Sequence, residues 1–93
     1  MSVKIAKWDT AEFLTTPEHV IEYLRVSLEE DDPAEFKIAL GKVARSKGMA
    51  EIAEKAGVSR QSLYRALSPD GNPEFSTIVS VLKALGLKLS VTV

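Results

Sequence analysis

Arg60, Gln61 and Arg65 put two guanidinium groups and a carboxamide within six positions, with the hydroxyls of Ser59, Ser62 and Tyr64 among them. Side chains of these types have little covalent reactivity. They excel at hydrogen bonding to planar polar edges: Arg pairs bidentately with guanine O6 and N7, and Gln bridges adenine N6 and N7. One turn on, Arg65 reaches a base or a phosphate, Tyr64 meets a phosphate or a thymine methyl, and Ser59 as N-cap leaves backbone N–H groups directed at a phosphate. Arg45 and Lys47 are candidates for contacts to a nucleic-acid backbone, with Lys42 and Lys55 weaker ones. Taken alone, the same residues describe a solvated helix face, and Tyr64 equally suits packing or a dimer surface. Their setting in the chain decides between the two.

The remainder of the chain excludes most enzyme chemistry. There is no Cys and a single His among 93 residues, so a disulfide framework, thiolate metal sites and multi-histidine centres are ruled out. No glycine-rich phosphate loop followed by Lys-Ser/Thr occurs, and His19, beside Glu18 and near Glu22, has no nucleophile close in sequence. The expectation is a protein that is not an enzyme and uses no cofactor or metal. Trp8 stands alone and reads as a core plug or interface anchor. No apolar run approaches a membrane span and the start Met1-Ser2-Val3-Lys4 lacks a signal-like apolar region, so a cytoplasmic location without membrane partners is expected.

Five helical segments and two extended ends would position these residues. Thr16-Pro17-Glu18 is a cap, a first-turn proline and a dipole-favoured acid, opening a helix to about Glu30 with Val20, Ile21, Leu24 and Leu28 as its apolar stripe and Tyr23 beside it. Asp32-Pro33-Ala34-Glu35 starts a second helix, to about Lys47, buried through Phe36, Ala39, Leu40, Val43 and Ala44 and stopped at Gly48. Met49 to Ala56 and Arg60 to Leu67 form two short helices joined by Gly57-Val58-Ser59; the loop Ser68-Pro69-Asp70-Gly71-Asn72-Pro73 follows. A last helix from Glu74 or Ser76 buries Ile78, Val79, Leu82 and Leu85 and ends at Gly86. The tail 87–93 alternates strictly, as a strand does, and needs the arm around Val3 and Ile5 or a second copy to pair with.

Charge divides the chain. Residues 1–35 carry three basic and nine acidic side chains, and residues 36–93 carry nine and four, so a net charge of -1 conceals an acidic first third and a basic remainder. A basic surface suits DNA, and an acidic one suits a cationic protein. Length allows one domain: an acidic arm and helix over 1–31, a helical core over 32–86 and a terminal strand over 87–93.

Two short helices around a glycine turn, with small Ala53 where the first packs and apolar Val58 and Leu63 beyond it, describe a helix-turn-helix whose second helix enters the major groove. The stretches Leu40-Gly41-Lys42-Val43-Ala44-Arg45, Lys47-Gly48-Met49 and Ala53 to Leu67, and Ser68-Pro69-Asp70-Gly71-Asn72-Pro73-Glu74-Phe75-Ser76 followed by Ala84-Leu85-Gly86-Leu87, resemble the probable addiction-module antidote proteins. These are HigA-like antitoxins within the Cro/phage-repressor (XRE-like) helix-turn-helix superfamily; the run from Gly57 to Phe75 is the specific part. The resemblance implies an all-α, lambda-repressor-like DNA-binding domain with short terminal strands. It further implies a two-gene module in which the protein neutralises a small, basic, RelE-like toxin and represses the shared promoter, with Arg60, Gln61 and Arg65 reading bases.

The expected partners are therefore double-stranded operator DNA, the toxin and a second copy of the chain. A stand-alone repressor without a toxin would share every DNA-facing feature, and a protein-interaction module that keeps the fold without binding DNA is the other alternative.

Overall fold

The computed structural model describes residues 16–92. The segment expected as an N-terminal strand or arm, with Trp8, lies outside these. Among the described residues there are five helices and no strand: α1 (Pro17–Leu28), α2 (Ala34–Lys47), α3 (Met49–Ala56), α4 (Arg60–Ala66) and α5 (Phe75–Ala84).

Helix starts follow the capping chemistry. Thr16 is extended and its Oγ1 accepts the His19 N–H at 3.2 Å, while Pro17 fills a position whose N–H would have been unpaired. At α2 the Asp32 carboxylate accepts the Ala34 N–H at 3.0 Å and the Asp32 carbonyl accepts Glu35 N–H at 2.9 Å. Gly48 ends this helix with φ 106°, a backbone that L side chains rarely adopt, and the chain turns directly into α3.

Leu40, Val43, Leu63 and Val81 are the largest side chains wholly withdrawn from solvent, and they tie α2, α4 and α5 into one core. Burying each stabilises the fold by about 1.5–3 kcal/mol. α3 packs against α2, α4 and α5, and α1 lies on α2.

Three expectations change. On α1, only Val20 and Leu24 are buried, with Tyr23 packed beside them; Ile21 and Leu28 are 51% and 58% exposed, because the helix rests on α2 through a narrower stripe than its apolar residues would fill. On α5, Val81 and Leu82 are buried while Ile78, Val79 and Leu85 are half-buried, the phase that places 78, 81, 82 and 85 on one side, and Phe36 on α2 is likewise half-buried against the core. The tail expected as a strand forms none over 87–92: Leu87 N–H donates to the Leu82 carbonyl at 2.8 Å and Leu87 packs on the core, Leu89 is partly exposed, and Val91 projects into solvent. A strand exists only through a ladder, and the described residues of one chain supply no partner to that tail.

Candidate nucleic-acid interface

The segment from Ala53 to Leu67 is built by two local devices. α3 ends when Val58 N–H donates to the Ala53 carbonyl at 3.0 Å and Gly57 N–H to the Glu54 carbonyl at 3.2 Å, with Gly57 left-handed at φ 78°, ψ 26°. This pair of bonds is the Schellman closure, which reverses the chain in two residues. Ser59 then returns to extended backbone, and its Oγ accepts Ser62 N–H at 3.0 Å and donates to Ser62 Oγ at 2.8 Å. Ser62 thus belongs to the cap that starts α4.

Leu63 and Leu67, one turn apart, are 0% and 2% exposed and fasten α4 to the core. The 100° step of a helix then turns Gln61, Tyr64 and Arg65 outward with Arg60 at their edge, and all four are exposed. Six of the expected site residues therefore share one seven-residue helix and its cap. Tyr64 is 45% exposed, so its ring is available to a partner rather than spent in the core.

The two expected backbone contacts separate. Arg45 is exposed in the last turn of α2, and its guanidinium lies beside Gly41, whose other neighbour is Leu67 at the end of α4. Lys47 is exposed on another side, lining shallow hollows with Glu51, Ile52, Lys55 and Leu85 and with Pro17 and Val20, and no α4 residue joins either lining. Lys55 is already paired with Glu51 at 3.1 Å. Between residues 36 and 67 there are seven cations and two carboxylates, so this stretch of the chain is strongly basic.

Three further residues position α4 and are not singled out by their side-chain chemistry. Gly41, buried in mid-helix, lets α2 approach Leu67 so closely that a Cβ there would stand 3.3 Å from its carbonyl oxygen. Its signal in sequence is a glycine inside a helix, a placement that costs about 1 kcal/mol relative to Ala and so calls for a packing reason. Gly71 crosses the end of α4, where a Cβ would overlap the carbonyl oxygens of Arg65 and Ala66. Lys37 reaches from α2 to the same loop and donates to the Pro69 and Gly71 carbonyls at 2.9 and 2.6 Å; no local signal announces it. Among the described residues no group of acids and histidines is arranged to hold a metal ion.

Comparison with known proteins reaches nearly the whole chain. A family model described as "Probable addiction module antidote protein" matches residues 4–93. An uncharacterized protein of Haemophilus influenzae (strain ATCC 51907 / DSM 11121 / KW20 / Rd) is 44% identical over 91 residues, covering 98% of this chain and 94% of that protein. No solved structure matches.

Proposed function

The chain belongs to the family of probable addiction module antidote proteins, and on that premise we propose that it is a DNA-binding antitoxin that represses its own operon. In this reading α3 and α4 are a lambda-repressor-like helix-turn-helix of the HigA-like, Cro/phage-repressor kind. The protein acts in the cytoplasm, catalyses no reaction and neutralises a small basic toxin of the RelE-like class. The observation that carries the DNA-binding part is the construction of α4: Leu63 and Leu67 hold it from behind, Ser59 sets where it starts, and Arg60, Gln61, Tyr64 and Arg65 face outward.

The mechanism follows from what those side chains bond. Arg60 pairs with guanine O6 and N7, Gln61 with adenine N6 and N7, and Arg65 with a base or phosphate further along the groove. Arg45, from the neighbouring helix end, neutralises a phosphate and releases its counterion, contributing affinity without sequence information. A homodimer presents two such helices to a palindromic operator with half-sites about 34 Å apart. The carboxylates of residues 1–35 oppose DNA at long range, so affinity rises when a cationic toxin covers them.

The test is a mobility shift on the DNA upstream of the protein's own gene at two salt concentrations, with and without the product of the neighbouring gene. Salt-sensitive, sequence-specific binding that is lost in Arg60→Ala, and altered by the neighbouring product, supports the proposal. Absence of binding in all conditions, together with a stable complex of the two proteins, would leave a neutralising partner whose α3–α4 unit is scaffold.

A further inference from the structure

The apolar residues that the core does not use gather on one side of the molecule. Ile21 and Leu28 on α1, Phe36 at the start of α2 and Leu89 on the tail wall an open groove whose floor is Leu24 and Leu82. Ile21, Leu28 and Leu89 are 51%, 58% and 45% exposed, which is far more than a helix needs to show when polar residues are available for its outer face. No residue of α3 or α4 lines this groove, so an occupant there leaves the candidate DNA-reading side chains uncovered.

The rim states what kind of occupant fits. The groove's own lining carries Arg25 and Lys88 and no carboxylate, and the acid surrounds it: residues 16–35 hold seven exposed carboxylates against one Arg. That Arg25 is already held by Glu22 at 2.7 Å and Glu29 at 3.2 Å. A second copy docked by a two-fold axis through this face would bring the acidic segment 16–35 of one copy toward that of the other, a like-charge juxtaposition that interfaces avoid. A cationic partner gains from the same charges, first in steering and then in register.

We propose that the groove between α1 and the tail is the docking site for the antidote's target: a small basic protein that inserts an apolar ridge flanked by Lys or Arg. Ile21 and Leu28 are its central contacts, and Glu29 to Asp32 face the partner's cations. This rests on the antitoxin reading above and adds to it the face that does the neutralising.

The experiment uses the full chain and the purified product of the neighbouring gene as probe, with affinity measured by calorimetry and mass by light scattering. The double variant Ile21→Ser/Leu28→Ser is expected to bind that probe about 30-fold or more weakly, the scale of losing central apolar anchors. Its melting temperature, oligomeric mass and operator binding stay those of the unsubstituted chain. A second variant, Glu29→Gln/Glu30→Gln/Asp31→Asn, slows association and flattens its salt dependence while leaving the apolar contact. Undiminished binding by the double variant overturns the groove and leaves the antitoxin reading standing, whereas failure of the unsubstituted chain to bind removes both. A changed oligomeric mass would assign the groove to a second copy, and a fall in melting temperature on the scale of a core deletion would assign it to the chain's own residues; either overturns the proposal.

Discussion

The ammonium of Lys37 on α2 donates to the carbonyl oxygen of Gly71, 34 residues away, at 2.6 Å. Its second bond, to the Pro69 carbonyl at 2.9 Å, makes the contact a clamp on the loop that leaves α4. Hydrogen bonds from a charged group contribute about 1.5–3 kcal/mol when sheltered and less when solvent competes, and this pair is partly sheltered. Lys37→Met keeps the stem and deletes the donors. It is expected to lower stability by about 1–2 kcal/mol in urea unfolding and to weaken operator binding equally on every sequence. A change in base preference would make Lys37 a reading residue instead.

Gly71→Ala is expected to be the more damaging of two glycine substitutions that look alike in sequence. At Gly57 a Cβ meets nothing within 4 Å, so Gly57→Ala costs only the left-handed backbone, about 1–2 kcal/mol. At Gly71 the Cβ overlaps the carbonyls of Arg65 and Ala66, and the loop must move off the end of α4. Overpacking of this kind costs about 1–3 kcal/mol, and the displaced loop also breaks the Lys37 clamp. Thermal unfolding of the two variants decides the order, and Gly57→Ala proving the less stable would sink it.

These two glycines also show what was legible in the sequence. Gly57, Ser59, Thr16 and Asp32 act through bonds to residues within five positions, so the starts of α1, α2 and α4 and the end of α3 could be read from local chemistry. That six candidate residues share α4 and its cap was legible for the same reason. Lys37 and Gly41 act across the fold, on partners whose proximity no local pattern encodes, and the clearance demanded at Gly71 is set by how the loop folds back over α4. Ile21 and Leu28 misled because apolar periodicity tells which residues avoid water, not how much of the stripe a neighbouring helix covers. The tail misled because alternation marks a residue set fit for a strand, while the ladder has to come from elsewhere.

Tyr23 gives the fold a dependence on alkaline pH. Its burial, and then the negative charge of Glu35, push the phenol above its ordinary value of 10.0, with Arg45 acting in the opposite sense. The folded state holds the proton more tightly than the unfolded chain does. The stability this contributes is therefore complete below the unfolded value and is lost as pH rises through the folded one. Urea midpoints of the natural chain should fall as pH rises past the ordinary phenol value of 10.0 more steeply than those of Tyr23→Phe. In Glu35→Gln the phenol, followed by its absorbance, should titrate at lower pH; an unchanged titration would remove Glu35 as a cause.

Arg60 and Lys55 separate reading from holding. Arg60 is exposed at the start of α4 and can present both of its terminal nitrogens to a guanine, so Arg60→Ala should cost about 1–3 kcal/mol and relax specificity at one base pair of each half-site. Lys55 is bound to Glu51 at 3.1 Å and can serve only as a point charge, already half-compensated. Lys55→Ala should weaken all sequences alike and by less, with a salt slope lowered by about one or not at all. Competition binding against a library of single-base operator variants distinguishes the two patterns. Specificity that followed Lys55 rather than Arg60 would move the reading surface from α4 to α3, and with it the assignment of which helix enters the groove.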